Sequence, residues 1–330
     1  MSGYIRMFVG KGGVGKTTSA AAYALSLAKR GYRVLVVSID PAHNLGDVLC
    51  TKLSGEPRKV ADNLYAAELD YNAVIAKFVE EMSEKLRYFY RHLKVFNLEH
   101  YLDVVKYAPG IEEHALLEAL IHLIDRVERD YDYLVIDPPP TGLMLRIFSL
   151  PFISLQWVKK LLEVRKAILE RRKMLERVVG RLKVQIGDKE ILLPTDASGD
   201  PVFKELLSTY KVYQRAYMVL RDARRTRAYL VMTPEELPLI EALRVYDFLK
   251  RFKIPVGGVV VNRVLEWKMA KGNPVLETEY ERQENILRRV EREFASLPKA
   301  LLPYKPQGIK GLASLETIAE KLSVLEGFGK

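Results

Sequence analysis

Residues 10–18 read Gly10-Lys11-Gly12-Gly13-Val14-Gly15-Lys16-Thr17-Thr18. This segment fits the phosphate-binding loop pattern G-x-x-x-x-G-K-[ST]. Glycines let the backbone curl closely around a phosphate, with successive N–H groups pointing inward. In this motif the lysine, Lys16, reaches the β- and γ-phosphates, and the hydroxyl of Thr17 ligates Mg²⁺. All nine residues are therefore predicted to bind a nucleotide.

The segments around this loop have the order that the motif requires. An apolar strand is predicted at 4–9, an Ala-rich helix at 16–30 and a second buried strand at 33–38. Strand, glycine-rich loop, helix and strand form a βαβ unit. Further strands are predicted at 63–69, 132–136, 227–232 and 256–261, and helices at 72–93, 112–129, 236–252 and 312–325. The alternation predicts an α/β fold with a doubly wound, mostly parallel sheet.

Lys11 follows the first glycine, where the motif accepts any residue. With it, the loop resembles the deviant group of P-loop ATPases. That group includes the partition and septum-site ATPases, the nitrogenase iron protein, and the arsenite-pump and tail-anchored-protein-targeting ATPases. In this group the extra lysine crosses a dimer interface to the partner's nucleotide. The resemblance implies an ATP-dependent homodimer in which Lys11 is catalytic; the alternative is a solvated surface charge.

The segment after the second strand narrows the resemblance. It reads Ser38-Ile39-Asp40-Pro41-Ala42-His43-Asn44-Leu45-Gly46-Asp47. An aspartate at the carboxyl end of a strand faces the ligand crevice of a doubly wound sheet. The string resembles the first switch of the arsenite-pump and tail-anchored-targeting ATPase family, which implies that Asp40 positions the attacking water. The alternative for Asp40 is a turn residue before Pro41. His43 is given no catalytic role.

The strand at 132–136 ends in Asp137-Pro138-Pro139-Pro140-Thr141-Gly142. An apolar strand that ends in aspartate is the arrangement in which a carboxylate holds Mg²⁺, here through water. The family's second switch matches at six residues in register: Asp137, Pro140, Thr141, Gly142, Leu145 and Arg146. Pro109 and the residues after it match a further family stretch that we interpret as structural.

Two segments near the end of the chain match the family's adenine contacts. Asn262 ends the strand at 256–261, and in the family an asparagine there hydrogen-bonds the base, as a side-chain amide is able to do. Residues 309–312 match the family's adenine loop, so Pro303 to Gly311 are expected to line the base.

The pattern changes between residues 143 and 226, where long helical periodicity replaces the strand signals. We expect an ATPase core formed by 1–142 and 227–330, and a helical insertion formed by 143–226 and joined in space by about 70–110. Residues 158–183 hold ten Lys or Arg and three Glu, a net charge of +7. Leu161, Ile168, Leu175 and Leu182 recur every seven residues there as one apolar stripe. This stripe either packs on its own domain or forms part of a client-binding groove. Residues 184–193 are expected to form a hairpin with its turn at 187–188.

The chain has one cysteine, Cys50, and a formal net charge of +10. A single cysteine excludes a disulfide or a multi-cysteine site within one chain. The tail-anchored-targeting members commonly carry a C-x-x-C pair after the adenine asparagine, and residues 266–272 hold no cysteine, so no zinc is expected. We find no apolar run of about eighteen residues and no room for a leader before the first strand, so a cytoplasmic location is expected. The positive charge fits an anionic partner or a well-solvated surface, and transient membrane association stays open.

The resemblance implies an ATPase that uses ATP, ADP and Mg²⁺ and couples nucleotide state to capture of a hydrophobic transmembrane-helix client or a membrane-protein partner. Two alternatives remain: the catalytic subunit of an arsenite-type anion pump, and a positional scaffold of the partition or septum-site kind. Sequence-specific nucleic-acid binding is not expected.

Overall fold

The computed structural model describes residues 3–40, 44–90, 110–186 and 189–326, with side chains for all of these except 85–90, 186, 189 and 191. Four sequence features therefore lie outside the described residues. They are the switch residues 41–43, with His43 among them, Pro109, most of the far half of the segment 70–110, and the turn at 187–188.

The strands, in chain order, are β1 (Tyr4–Val9), β2 (Val34–Ser38), β3 (Arg58–Ala61), β4 (Leu64–Glu68), β5 (Tyr133–Asp137), β6 (Lys183–Ile186), β7 (Lys189–Leu192), β8 (Thr226–Met232), β9 (Val256–Val264) and β10 (Lys299–Pro303). The helices are α1 (Lys16–Lys29), α2 (Leu45–Leu49), α3 (Tyr71–Tyr90), α4 (Ile111–Asp130), α5 (Thr141–Val179), α6 (Pro201–Arg221), α7 (Glu236–Arg251), α8 (Trp267–Ala270), α9 (Pro274–Glu293) and α10 (Leu312–Leu322). A 3₁₀ turn, Ser323–Glu326, follows α10.

Eight strands form one sheet in the order β10-β9-β8-β1-β5-β2-β4-β3. Every pair in it is parallel except β3–β4. The chain winds outward from the central β1 in both directions, which confirms the predicted doubly wound, mostly parallel α/β fold. β6 and β7 pair separately as an antiparallel ribbon, on the segment where a hairpin was expected.

Several elements of the sheet unit were missing from the sequence prediction, among them β3, β10 and α9. β3 is a short edge strand with two exposed residues, and β10 is short and contains lysine and proline, so neither shows an unbroken apolar run. α9 is strongly polar and buries only Ile286 and Val290. Its N-terminal signal was present, because the Asn273 side chain accepts bonds from two N–H groups of the first turn and Pro274 follows.

Among the described residues, contacts separate two compact units. The sheet unit falls within Met1–Val74, Glu118–Arg146 and Leu220–Lys330, and the helical unit within Ile75–Leu117 and Ile147–Val219. The expected division at 226 lies later in the chain than Val219. One reason is that the carbonyl oxygen of Arg225 already accepts a bond from the Ile5 N–H at 2.7 Å, which ties the segment before β8 to β1.

In the helical unit, a buried ion pair joins α5 to the start of α6. The buried carboxylate of Asp200 accepts two bonds from the Arg165 guanidinium, at 3.1 and 2.6 Å, and caps α6 through the Phe203 N–H. Burial alone would raise the pKa of Asp200, but these bonds hold it below its ordinary value. Because the ion pair is bidentate and its carboxylate fully buried, it fixes the register of the two helices.

A buried cluster of charged and hydroxyl side chains surrounds Glu326, in the 3₁₀ turn Ser323–Glu326. The Glu326 carboxylate receives bonds from Arg6 on β1, Tyr23 on α1 and Tyr229 on β8, the last at 2.7 Å. Arg227 adds a contact at 3.3 Å. Burial would raise the pKa of Glu326, but these donors hold it below its usual value. The cluster therefore ties the end of the described chain to the central strand.

We expect Glu326→Ala to lower the free energy of unfolding by about 3–5 kcal/mol, because it leaves the buried Arg6 guanidinium without its charged partner. Urea unfolding followed by circular dichroism measures this. The matched control is Glu316→Ala, which removes an exposed partner of Lys29 and should cost no more than about 1 kcal/mol. Equal losses in the two variants would contradict the structural role of the cluster.

Candidate functional site

The loop between β1 and α1 lies at the carboxyl edge of the sheet, beside the strand at which the winding direction reverses. In doubly wound sheets this is where ligands bind. Gly13 and Gly15 have φ of 79° and 98°, a conformation that glycine adopts without strain. A Cβ at Gly10 would lie 2.2 Å from the carbonyl oxygen of Val231. The glycines are thus required by the backbone itself, and α1 presents its positive N-terminal end at the loop.

Asp137, the last residue of β5, is fully buried below the loop. Its Oδ2 accepts bonds from the hydroxyls of Thr17, at 2.8 Å, and Ser38, at 3.0 Å. Its other oxygen, Oδ1, is buried and has no hydrogen-bond partner among the residues that the structure describes. Burial raises the pKa of Asp137 to about 6, against the opposing effect of the Thr17 bond and the Lys16 charge. A buried carboxylate oxygen without a partner is costly, so its presence calls for a functional explanation.

The donor set at Asp137 fits a hydrated Mg²⁺ bound together with phosphate. Mg²⁺ is usually held by one or two protein oxygens, with waters and substrate phosphates as the remaining ligands. The Thr17 hydroxyl and the partnerless oxygen of Asp137 are oxygens of this kind. Among the described residues, no three His, Cys, Asp or Glu side chains form a group that could hold a metal ion alone.

Lys16 and Asp40 lie at the same edge of the sheet and form a loose ion pair. The Lys16 Nζ is 3.9 Å from Asp40 Oδ2, and both residues are buried. Asp40 follows β2, which is the neighbour of β5 in the sheet. The structure therefore brings together four of the residues expected in the site: Lys16, Thr17, Asp40 and Asp137.

Lys11 pairs with a carboxylate outside this cluster. Its side chain is 45% exposed, and its Nζ lies 3.4 Å from Glu241 on α7 of the same chain. Exposed pairs of this kind contribute at most about 1 kcal/mol. The contact is therefore weak enough to open when a better anionic partner is offered.

Asn262 and Pro303 both lie near the ends of adjacent strands, β9 and β10. Pro303 is buried and pairs with Val264, two residues beyond Asn262. The Asn262 side chain is bonded to the loop itself: its Nδ2 donates to the carbonyl oxygen of Val14 at 2.9 Å. The expected contacts of Asn262 and Pro303 with adenine stay predictions.

The segment after Pro303 also borders a second, polar opening in the sheet unit. Lys310 lines a cavity of about 580 Å³ together with Asp47, Cys50 and Glu68. The neighbouring Gly311 donates its N–H to the carbonyl oxygen of Val48 at 2.8 Å, which fixes this segment against α2.

Sequence reasoning assigned no role to Ser38 or Glu241. Ser38 could have been found, because it ends β2 directly opposite Asp137 in the parallel register with β5. Residues paired in this register lie side by side, so the Ser38 hydroxyl is expected next to the Asp137 carboxylate at the carboxyl edge of the sheet. Glu241 gave no signal, because it lies on a helix far along the chain and meets Lys11 only in the folded sheet unit.

Three of the four stripe residues lie on the solvent-exposed side of α5, and the fourth, Leu182, lies beyond the end of that helix at Val179. Leu161, Ile168 and Leu175 are 47%, 37% and 53% exposed. Other apolar residues of the same helix are buried instead, among them Leu155, Val158 and Leu169. Trp157, Val164 and Val178, close to the stripe on the helical surface, are exposed as well. The helix thus has one apolar face in the protein and a second one in solvent.

α5 is also long and apolar enough to cross a membrane by length and composition alone, which corrects the expectation of no such run. Of its most apolar eighteen residues, 39% are buried inside the protein. The core helix of a soluble protein meets the same test, so this observation is weak evidence for a membrane span.

We expect Asp137→Asn to stabilise the nucleotide-free protein more at high pH than at low pH. The folded carboxyl, with a pKa near 6, holds its proton where the unfolded carboxyl has lost it, so wild-type stability falls as pH rises through this window. The gain in unfolding free energy should be about 2 kcal/mol larger at pH 7.5 than at pH 4.5. Urea unfolding in EDTA at the two pH values measures it.

The control is Asp130→Asn, the same substitution at an exposed position at the end of α4. Its effect should stay within about 0.5 kcal/mol at both pH values. A pH-independent gain in Asp137→Asn would contradict the buried, half-bonded carboxylate.

Comparison with known proteins identifies the family to which these features belong. The anion-transporting ATPase family matches residues 4–324. The chain is 28% identical over 320 residues to a putative arsenical pump-driving ATPase 2 of Aquifex aeolicus (strain VF5), covering 96% of this chain and 97% of the relative. It is 33% identical over 325 residues to a putative arsenical pump-driving ATPase of Prosthecochloris vibrioformis, covering 96% and 75%.

A relative with a different name has similar identity. ATPase GET3C of Arabidopsis thaliana is 30% identical over 271 residues, which cover 78% of this chain and 66% of the relative. Together with the arrangement of the glycine loop, Lys16, Thr17 and Asp137, these matches confirm the predicted recognition and enzyme class. The chain belongs to the anion-transporting ATPase family and is an ATPase that uses ATP and Mg²⁺.

Proposed function

We propose that this ATPase works as a homodimer that couples its nucleotide state to capture and release of a hydrophobic client, such as the transmembrane helix of a tail-anchored membrane protein. The observation that carries this proposal is the exposed apolar stripe on α5. The proposal has three parts, which are the hydrolytic site, the dimer and the client surface.

At the hydrolytic site, each residue acts on phosphate, water or cation. The N–H groups of the glycine loop and the Lys16 ammonium bind the phosphates and offset the charge that develops on them. Thr17 and Asp137 would hold Mg²⁺, which supplies charge neutralisation between the phosphates. Asp40, at the end of β2 and close to Lys16, orients the attacking water. An ionised carboxylate at that place accepts a hydrogen bond from the water.

The dimer part rests on Lys11. Its ammonium is half exposed and only weakly paired with Glu241, so it is available to a nucleotide held by a second copy of the chain. We propose that ATP favours the dimer because the phosphates give Lys11 a stronger partner than Glu241. The chain has no cysteine pair, so we propose a dimer that does not depend on zinc.

The client part rests on the two faces of α5. One apolar face of α5 is exposed and is not needed for the core. Large exposed apolar patches are rare in soluble proteins and mark interaction sites. An apolar helix of about twenty residues is the partner whose shape and chemistry fit such a strip. The basic residues of 158–183, with a net charge of +7, keep this surface soluble by mutual repulsion between copies. A cytoplasmic protein with transient membrane contact follows from this role.

A second candidate is the catalytic subunit of an anion pump, which the names of the Aquifex and Prosthecochloris relatives favour. A metalloid site built from several thiolates cannot come from the single cysteine of one chain. Such a pump would therefore need a different anion site, whereas the client hypothesis uses a surface that is already exposed.

We expect Asp40→Asn to bind Mg²⁺ and ATP normally but to hydrolyse ATP about 10²–10⁴-fold more slowly, the range for groups that position a proton or water. Because ATP persists, sedimentation should show a dimer that does not dissociate over the time in which the wild type returns to its nucleotide-free state. Single-turnover hydrolysis and analytical ultracentrifugation measure the two effects.

Asp62→Asn is the matched control, because Asp62 is an exposed aspartate in the turn between β3 and β4, outside the glycine loop and both switches. It should hydrolyse ATP at the wild-type rate. If Asp40→Asn instead loses nucleotide affinity while each bound ATP turns over normally, Asp40 binds the nucleotide and does not position water.

We expect the double variant Ile168→Asp with Leu175→Asp to fold, to hydrolyse ATP and to lose capture of an apolar helix by at least tenfold. Both side chains are exposed, so the substitutions should change stability little. Two carboxylates on the strip would, however, have to be desolvated by an apolar client. Co-purification with a co-expressed leucine-rich transmembrane segment measures capture.

The control Lys166→Gln with Lys173→Gln lowers the net charge by the same two units at exposed positions with the same spacing, on another side of the helix. It should keep full capture. Unfolding of the Asp variant would show that the stripe belongs to the core. A folded Asp variant with undiminished capture would remove this surface as the client site, and pelleting of the wild type with vesicles or DNA alone would favour the scaffold alternative.

A further inference from the structure

The side-chain amide of Asn262 is bonded to the main chain at both of its ends. Its Nδ2 donates to the carbonyl oxygen of Val14 at 2.9 Å, and its Oδ1 accepts from the Arg263 N–H at 2.9 Å. These two partners fix the orientation of the amide, because a flipped amide would set oxygen against a carbonyl and NH₂ against an N–H. Asn262 is buried, so its bond to Val14 is shielded from water, whereas the bond from Arg263 is partly buried.

Arg263, which donates this N–H, has an uncommon backbone conformation. Arg263 has φ of 61°, in the left-handed region that residues with a side chain rarely adopt. Such strain persists only where the surroundings hold it in place, and it concentrates at functional sites. Here the residue in this conformation directly follows Asn262, whose amide is bonded to the phosphate loop.

The contact with the loop is close as well as polar. A Cβ at Gly15 would lie 2.2 Å from Asn262 Nδ2, so the amide packs against the loop where glycine is required. In a loop whose N–H groups converge on phosphate, the carbonyl groups need partners elsewhere. Asn262 is such a partner for Val14, directly before Gly15 and Lys16.

We propose that Asn262 is a positioning residue that holds the phosphate-binding loop in its binding conformation, whichever base the nucleotide carries. The role expected from the family resemblance was recognition of adenine. The amide has one N–H left for a base after its bonds to Val14 and Arg263 are made. The amide is therefore able both to position the loop and to contact the base. A ligand that has no base tests the first role without the second.

The test compares ADP with pyrophosphate, which carries the phosphates and no base, as competitive inhibitors of ATP hydrolysis. In Asn262→Ala, the inhibition constants of both ligands should rise together by about tenfold, the size expected when a buried carbonyl loses its hydrogen-bond donor. A loss for ADP with an unchanged constant for pyrophosphate would overturn the proposal and leave Asn262 as a base contact. Unchanged constants for both ligands would overturn it as well.

Asn262→Ser serves the same comparison if the alanine variant does not fold, because its hydroxyl fills part of the space with a polar group. The matched control is Asn273→Ala, the same substitution at the N-terminal cap of α9, where the side chain accepts bonds from Val275 and Leu276. Its inhibition constants should equal those of the wild type, even though its stability falls.

This inference rests on the proposed role of the loop in binding phosphate, and Lys16→Ala tests that role separately. Lys16→Ala should weaken pyrophosphate binding, measured directly by calorimetry because this variant has too little hydrolysis to inhibit. If Lys16→Ala weakens pyrophosphate binding and Asn262→Ala does not, the loop assignment stands and the positioning role fails. If Lys16→Ala leaves pyrophosphate binding intact, both assignments fail.

Discussion

The sheet unit depends on one costly arrangement, the burial of the Asp137 carboxylate with only half of its hydrogen bonds made. Thr17 and Ser38 occupy one oxygen, and the described part of the chain offers no partner to the other. Burial raises the pKa of the group to about 6, so close to neutrality the ionised form is held at a cost in stability. A site that binds a hydrated cation needs this state, because an oxygen already satisfied by the protein would have to be freed first. The start of α1 and the end of β2 each supply one of its two hydroxyl donors, Thr17 and Ser38. The glycine loop directly precedes α1.

Sequence reasoning found the elements that carry strong local signals and missed those defined by their partners. The central strands are unbroken apolar runs because both of their faces are covered, and strand ends of a parallel sheet meet at one edge. Asp40 and Asp137 could therefore be expected near Lys16 and Thr17 from the sequence alone. β3, β10 and α9 lack such runs, since an edge strand and a largely solvated helix need few apolar residues. The bond from Asn262 to Val14 joins residues 248 positions apart and follows from no local pattern.

The α5 helix shows why a correct pattern can still leave two interpretations. A seven-residue repeat marks one face of a helix but does not say whether that face is buried. Leu161, Ile168 and Leu175 have the repeat and are exposed, whereas Leu169 lies one residue away and is buried. Arg165 and Arg172 flank the buried face, and Arg165 is committed to Asp200. In this basic helix, the face that packs in the core is therefore not the face that carries the seven-residue repeat.

Two buried carboxylates in the sheet unit, those of Glu326 and Asp137, show how a structural carboxylate differs from one that is available to bind a ligand. Glu326 is surrounded by donors from Arg6, Tyr23 and Tyr229, and its pKa is held below the ordinary value despite burial. Asp137 has two hydroxyl donors on a single oxygen, and its pKa is raised. Burial acts in the same direction on both groups, so the difference comes from the number and charge of their partners. The fully bonded carboxylate can only hold the fold together, whereas the half-bonded one retains binding capacity. In this chain the unsatisfied carboxylate is the one beside the phosphate loop, and the satisfied one fastens the end of the described chain to the central strand.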